Sequence, residues 1–514
     1  MIPAVIWLLI LFGLFCIYDC KKPANFPPGP RWLPLVGCFP RYQRVRSKYN
    51  YNYMAFQELS REYGPIVGMK LGKQKYVFIC THDMVKKMLL HDDLNGRPDG
   101  FFFRVRAFGK RIGVLFTEGN TWSQHRRFTM RHLKTFGLGQ ATMEKNLIFE
   151  SECLIEYLRE QSKVGPVAMH KAFDIAVLNA IWTLFAGHRF DYHDEKAYDI
   201  LNVVHKAFRL TDTLGGIVSL LPFLRFVIPE LSGYKELLDN SQKLWEFIDE
   251  EIYSHEKDIK ADQPRDLIDA FLMEIKSQKG SSLQSDSIFN RQELVILCLD
   301  IFLAGSKTTT DTLGTIFAFL SLHPEWVKIL QDSLEKVVGN NRAPSLSDRP
   351  LLPLVDAFLA ECQRFLLLAP LGVPHKATKD VMFNGYRIPE DTVILPDFHS
   401  VHNDETYWEN PEEFRPERFL DENNQFRQNH AAIPFGIGKR RCLGEALARS
   451  SLFLFFTHVI HNFDFKISPE HGAPNPNGYD GFTISPKPYY LIVSLRSDIN
   501  QNKIKENKDE IVKK

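Results

Sequence analysis

The sequence predicts a mainly α-helical domain with minor β structure. Three observations carry that prediction. Arg291 to Leu322 contains no proline, and about 32 residues at helical rise reach close to 48 Å, enough to cross a whole domain. Ile148 to Glu160 and Lys243 to Ile259 show helical periodicity in their apolar positions. Only short stretches, Pro65 to Leu71 and Lys75 to Cys80, alternate as strands do. His323-Pro324-Glu325 then opens a further helix, with proline near its first turn.

Composition supports one large folded body. Of 514 residues, 44% are hydrophobic and 24% charged, so a sizeable core is available. No repeat or Gly/Ser-rich linker divides the chain after residue 40. Sixty-three basic and 62 acidic residues leave a formal net charge of +1, which offers nucleic acid no global attraction. The eight cysteines are scattered, without zinc-site spacing or disulfide density, as in a reducing compartment.

The amino-terminal stretch reads as a membrane anchor over residues 1–20. Ile2 to Tyr18 is uncharged and apolar apart from Gly13, and it spans about 26 Å as a helix, near the short limit for a bilayer. A cleaved signal peptide is the competing reading. No basic residue precedes the run and no small-residue cleavage site follows it, whereas Lys21 and Lys22 do, which places the body on the cytosolic side. Residues 21–30 form a basic, Pro-rich spacer whose Phe26-Pro27-Pro28-Gly29-Pro30 is stiff and extended. Residues 31–498 are read as the main folded domain, and 499–514 as a charged, frayed tail.

The segment richest in chemistry is Phe435-Gly436-Ile437-Gly438-Lys439-Arg440-Arg441-Cys442-Leu443-Gly444. A cysteine that must reach a metal beneath a flat macrocycle needs a loop with little side-chain bulk, and the glycines supply it. Arg440, nearby amides and the positive end of a helix starting near Leu443 can stabilise a thiolate. A buried, inert cysteine in a turn is the bland alternative. The segment resembles the cysteine-ligand loop of the cytochrome P-450 family at five positions, a chance match of order 10⁻⁴ on average composition. That resemblance implies the family's fold, with heme b (iron protoporphyrin IX) held between the long central helix and the cysteine loop. It also makes Cys442 the metal ligand, a thiolate that pushes electron density onto iron.

Further segments occur in the family's order. Glu361-Cys362-Gln363-Arg364 and Phe414-Arg415-Pro416-Glu417-Arg418-Phe419 resemble its buried ion network behind the heme, in which Glu361, Arg364 and Arg418 have a structural task. Taken alone they would be a solvated pair and a loop arginine. Trp122-Ser123-Gln124-His125-Arg126 resembles the helical pair that donates to a heme propionate, with Trp122 and Arg126 on one face. By the same resemblance His375 and Arg440 are the other propionate partners, cationic donors suited to a carboxylate.

Ala304-Gly305-Ser306-Lys307-Thr308-Thr309 resembles the oxygen-activating signature of the central helix. There Gly305 would make room for dioxygen, and the catalytic Thr308 hydroxyl would donate to it or hold a water. Back-bonding of the threonines to helix carbonyls is the alternative. The chain departs from the family in having Lys307 where an acid is usual. A protonated lysine gains nothing from an apolar pocket, so Lys307 is expected to turn toward Asp311, four residues on. By family position, Arg97 to Leu115 (with Phe101, Phe102, Phe103 and Phe108), Leu210 to Ile228, Leu371 to Val373 and Gly481 to Thr483 would wall an apolar pocket, though aromatic clusters are more often plain core.

The resemblance spans nearly the whole chain and is closest to microsomal animal enzymes. Arg97-Pro98-Asp99-Gly100-Phe101-Phe102-Phe103 and the spacer are most like insect members, including relatives of the methyl farnesoate epoxidase of juvenile hormone synthesis. It implies a monooxygenase of the endoplasmic reticulum membrane with its catalytic domain on the cytosolic face. O₂ and NADPH-derived electrons would hydroxylate or epoxidise a lipophilic small molecule: a terpenoid hormone precursor, steroid, fatty acid or xenobiotic. NADPH-cytochrome P-450 reductase, with cytochrome b5 as a further partner, would deliver the electrons. Arg127, Arg131 and Lys134, spaced along one helical face, and Lys439 and Arg441 form its expected docking patch. A heme-thiolate isomerase or dehydratase that needs no reductase, and a non-enzymatic heme or lipid binder, are the rival readings.

Overall fold

The structure, a computed structural model, describes residues 2–210, 213–259, 263–278 and 288–497. The tail expected at 499–514 lies outside these, as do two residues of the expected wall Leu210 to Ile228. The central helix runs Arg291–Leu322, as its proline-free sequence predicts, and Asn290 caps it by accepting the Glu293 amide at 3.0 Å. Helix Asp174–Ala186 packs along it and is apolar nearly all round, as a helix buried on every side must be.

The other predicted helices form with longer starts. The Ile148 to Glu160 periodicity lies inside Ala141–Val164, and that of Lys243 to Ile259 inside Tyr234–Asp258 except for Ile259, the extended residue that ends the helix. The start of the first buries only Met143 and Leu147 and that of the second the polar Asn240 and Ser241, too sparse an apolar pattern to mark them. Helices Gly119–Thr135, Leu267–Gln278, Pro324–Val338, Pro353–Phe365 and Glu445–Asn462 complete the frame around the site.

The β structure is minor and lies largely to one side. Strand β1 (Ile66–Leu71) pairs antiparallel with β2 (Gln74–Ile79) across a two-residue turn, where Gly72 takes φ +59°. β2 runs parallel to β6 (Val393–Pro396), and β3 (His375–Lys376) closes the sheet antiparallel to β6. Two separate hairpins are β4 (Val381–Phe383) with β5 (Tyr386–Ile388), and β7 (Phe463–Ile467) with β8 (Leu491–Leu495).

The first helix, Ile2–Asp19, leaves Trp7, Leu8, Leu9 and Leu11 more than half exposed. Among the described residues no helix is long and apolar enough to cross a membrane. The helix is fixed to the body at its end: Lys70 Nζ donates to the Asp19 carbonyl at 2.8 Å and pairs with its carboxylate at 2.5 Å. The Pro-rich spacer lies against β1, where Gly68 donates its amide to Pro28 at 2.7 Å. A Cβ on Gly29 would stand 2.0 Å from the Gly68 carbonyl oxygen, so only glycine permits this approach.

Candidate functional site

The cysteine loop bends through two left-handed glycines, Gly436 (φ +68°) and Gly438 (φ +73°), and closes with the Cys442 amide on the Phe435 carbonyl at 2.9 Å. A Cβ on Gly438 would meet the Leu89 carbonyl at 2.6 Å, so close approach as well as φ demands glycine there. Cys442 is exposed to the space the loop faces. Desolvation pushes its thiol up, while the Gly444 amide, Arg126 and Arg441 pull it down. The expectation that Arg440 supports this sulfur is therefore corrected. Arg440 turns the other way, its guanidinium 3.9 Å from the centre of the Trp122 ring, and donates to the carbonyls of Asn95 at 3.0 Å and Thr117 at 2.8 Å.

That turn brings the predicted propionate partners together. Arg126 lies 5.8 Å from the Trp122 ring centre and donates to the Arg441 carbonyl at 2.6 Å. Buried His375, on β3, contacts the Leu94 carbonyl at 3.1 Å. Arg97 joins them, donating to the carbonyls of Val373 and Pro374 at 3.1 and 2.8 Å. Burial lowers Arg97 well below the usual arginine range, and the charges of Arg440 and Arg126 add to the effect. Burial depresses His375 as well, followed by the charges of Arg97 and Arg440. Nε of Arg97 and Nη1 of Arg440 are buried and find no partner among the described residues. Clustered cations with unused donors call for an anion. Sequence reasoning placed Arg97 only in the pocket cap; the signal it missed was a buried arginine with no acid of its own.

Facing the cysteine loop across a cavity that Thr308 and Phe435 both line, the central helix presents exposed Ala304 and half-buried Thr308 and Thr312. The Thr308 hydroxyl donates to the Ala304 carbonyl at 2.7 Å, the back-bonded state, which leaves its oxygen free to accept. Gly305 corrects a second expectation. Its Cβ position points at Ile181, whose Cδ1 would be 2.3 Å away, so the missing side chain admits helix Asp174–Ala186, and Ala304 is the small residue on the open face. Lys307 is buried and pairs with Asp311, as expected. Thr308 and Thr312 line a cavity of about 80 Å³ together with Leu367, Phe435, Ala448 and Leu452. Behind it, Arg364 grips Glu361 through two 2.7 Å bonds with both side chains fully buried, and Arg418 approaches Glu361 at 3.5 Å.

Of the expected pocket walls, Phe102 and Phe103 pack edge to face at 5.2 Å and Phe103 meets Phe116 at 5.0 Å. In the expected wall Gly481 to Thr483, the amide of Phe482 donates to the Phe208 carbonyl at 3.1 Å, just before the expected wall that begins at Leu210. Phe108 turns instead to Trp245, at 4.4 Å.

The cytochrome P450 family model matches residues 27–493. Farnesoate epoxidase of Bombyx mori is 33% identical over 96% of this chain and 99% of the relative. Probable cytochrome P450 303a1 of Drosophila melanogaster is 35% identical over 96% and 100%, and cytochrome P450 2B19 of Mus musculus 33% over 95% and 98%. The family binds heme b through a cysteine thiolate. The residues present suit that group: a thiol on one side of the slot, a helix face opened by alanine on the other, and a cationic edge with unused donors. The chain belongs to the cytochrome P450 family, whose members are heme-thiolate monooxygenases.

Proposed function

We propose that this chain is a monooxygenase of the endoplasmic reticulum membrane that hydroxylates or epoxidises a lipophilic substrate on the cytosolic face. NADPH-cytochrome P-450 reductase supplies its electrons, with cytochrome b5 as an accessory donor. The observation that carries this is that Phe435 of the cysteine loop and Thr308 of the central helix line one cavity, with an exposed Cys442 in that loop and Trp122, Arg97, Arg126, His375 and Arg440 gathered into one cationic cluster. Membrane attachment rests on the exposed apolar face of Ile2–Asp19 and on Lys21 and Lys22 after it. A terpenoid substrate is favoured among lipophilic classes by the relative named for farnesoate epoxidation.

Heme b, when bound, supplies dioxygen activation, promoted by electron density from its thiolate. The protein does the rest. Trp122, Arg97, Arg126, His375 and Arg440 would hold the heme propionates. Gly444, Arg126 and Arg441 favour the anionic form of the Cys442 sulfur, against the desolvation that pushes its thiol up. Thr308 Oγ1 accepts a hydrogen bond from an ordered water, or leaves the Ala304 carbonyl to donate, and so handles the proton on the open face.

The reduced carbon monoxide complex should show the red-shifted Soret band of thiolate ligation, and Cys442→Ser should abolish it. An unchanged band in that variant overturns the assignment. Single turnover separates the rival activities: a monooxygenase consumes NADPH through the reductase, an isomerase or dehydratase consumes peroxide alone, and a binder consumes neither.

A further inference from the structure

The loop 479–485 is tied down on every side. Tyr479 and Ser485 close its base, the Tyr479 amide on the Ser485 carbonyl at 2.7 Å and the Ser485 amide on the Tyr479 carbonyl at 3.1 Å. Its flank is held by Asp480, whose carboxylate accepts from Arg46 at 2.9 Å and from the Asn52 amide at 3.0 Å, and its tip by Phe482 on Phe208. The Ile484 amide donates to the Leu368 carbonyl at 2.8 Å, and Leu368 lines the cavity together with Thr308. The last tie runs to the central helix. There the Ser485 hydroxyl donates to Asp311 Oδ2 at 2.8 Å, while Lys307 holds the other oxygen of that carboxylate.

Lys307, Asp311 and Ser485 are 2%, 1% and 2% exposed, so the ion pair has left water completely. A pair buried that deeply is a poor source of stability, because desolvating both charges offsets most of their attraction, and apolar residues of similar volume often serve as well or better. The role best attested for such groups is to fix one arrangement among several. The helix shows which arrangement Asp311 fixes. Thr308 and Asp311 are three residues apart, roughly 4.5 Å along the axis, so one rigid turn carries both the hydroxyl on the cavity and the acceptor of the loop. Resting on the monooxygenase reading above, we propose that Asp311, oriented by Lys307, is a positioning residue: through Ser485 it sets how far loop 479–485 and the Leu368 segment stand from Thr308, and so selects which carbon of a lipophilic substrate is oxidised. The lysine that departs from the family's usual acid then serves regiochemistry instead of proton delivery.

The probe is methyl farnesoate, whose two isolated double bonds are alike in reactivity, so the ratio of major to minor monooxygenated product reports how the chain lies in the site. The full-length heme-loaded protein is supplied with reductase, NADPH and O₂, and the products are quantified. Ser485→Ala removes the donor. Lys307→Met/Asp311→Leu replaces the buried pair by apolar residues and removes the acceptor without stranding a charge. Each change should move the parent's ratio at least about threefold toward one, within the roughly 10-fold that a charge-assisted hydrogen bond can carry. The triple variant should move it no further, because both changes break the same bond. Urea midpoints of the double variant at or above the parent's, with its selectivity lost, separate positioning from stability. A ratio unchanged in either variant, a further shift in the triple variant, or a parent that makes its products equally would overturn the inference. A parent that forms no oxidised product would instead overturn the monooxygenase reading, and the inference with it.

Discussion

Lys307 points its ammonium along the central helix onto Asp311, and the second oxygen of Asp311 accepts the Ser485 hydroxyl at 2.8 Å. All three residues are buried. The lysine that replaces the family's usual acid is thus tied to the flank of the helix, away from the face carrying Ala304 and Thr308. Burial, the leading influence on Asp311, pushes its carboxyl up, and Lys307 and Ser485 oppose that. On the proposed reading, proton handling at the open face falls to Thr308 and water.

Thr308→Ala should therefore uncouple the enzyme, with NADPH consumed and peroxide released in place of product. Lys307→Gln should keep product formation per intact heme within a few-fold. It should nevertheless weaken the fold by about 3 kcal/mol, because Asp311 loses its buried counter-ion. Lys307→Gln/Asp311→Asn should recover most of that stability. Product and peroxide yields with urea midpoints measure all of this, and an inactive Lys307→Gln beside a well-coupled Thr308→Ala would make the lysine the proton donor.

Arg97 should matter to cofactor retention although no motif marks it. Removing one charge-assisted partner of a buried anion costs roughly 1.5–3 kcal/mol, so Arg97→Leu should speed heme transfer to a scavenging apoprotein by about 10–100-fold. Arg440→Leu should act similarly. Retention equal to the parent in both variants would move the propionates elsewhere.

Exposed Arg127, Arg131 and Lys134 have no acidic partner among the described residues, whereas Arg441 pairs with Glu445 and Lys439 with Asp92. Charge reversal at Arg131 or Lys134 should slow reduction by the reductase and flatten its dependence on ionic strength. Stopped-flow reduction rates across a salt series measure both effects. Rates indifferent to salt and to reversal would leave this face merely solvated.

His255 ties helix Tyr234–Asp258 to Leu267–Gln278, with Nε2 3.0 Å from Asp266 Oδ2 and Nδ1 2.9 Å from the Glu251 carbonyl. Burial alone would lower this histidine, but the bond and charge of Asp266 carry it up to about 9. A folded value above the unfolded 6.5 means that the stabilisation is complete below about 6.5 and is lost as pH climbs through about 9. Urea midpoints should fall across that window by the equivalent of about 3 kcal/mol. His255→Gln should be weaker at pH 6 and flat above it.

The central helix and the cysteine loop were legible because each writes its constraint into adjacent residues: no proline from Arg291 to Leu322, and glycines where the loop must turn or approach closely. The Glu361, Arg364 and Arg418 network was legible only through resemblance, since spacing alone describes a surface pair equally well. Arg97 and Ser485 escaped because what defines them lies far away in sequence. Arg97 finds its carbonyls at Val373 and Pro374, and Ser485 its carboxylate at Asp311. Gly305 misled for a related reason: a glycine tells that space is needed, and only the fold tells that Ile181 takes it.

The bond from Lys70 to Asp19 reaches further than one ion pair. Lys70 belongs to β1, β1 is hydrogen-bonded through β2 and β6 to β3, and β3 carries His375 at the cationic edge of the slot. With Gly29 seated on Gly68 beside it, the first helix has no free swivel where it leaves the body. Its tilt and the orientation of the slot are one mechanical variable. A chain with Asp19→Ala should keep its fold and its spectrum yet lose this fixed attitude, which polarised spectroscopy on oriented bilayers would read as a broadened angle between the heme plane and the membrane.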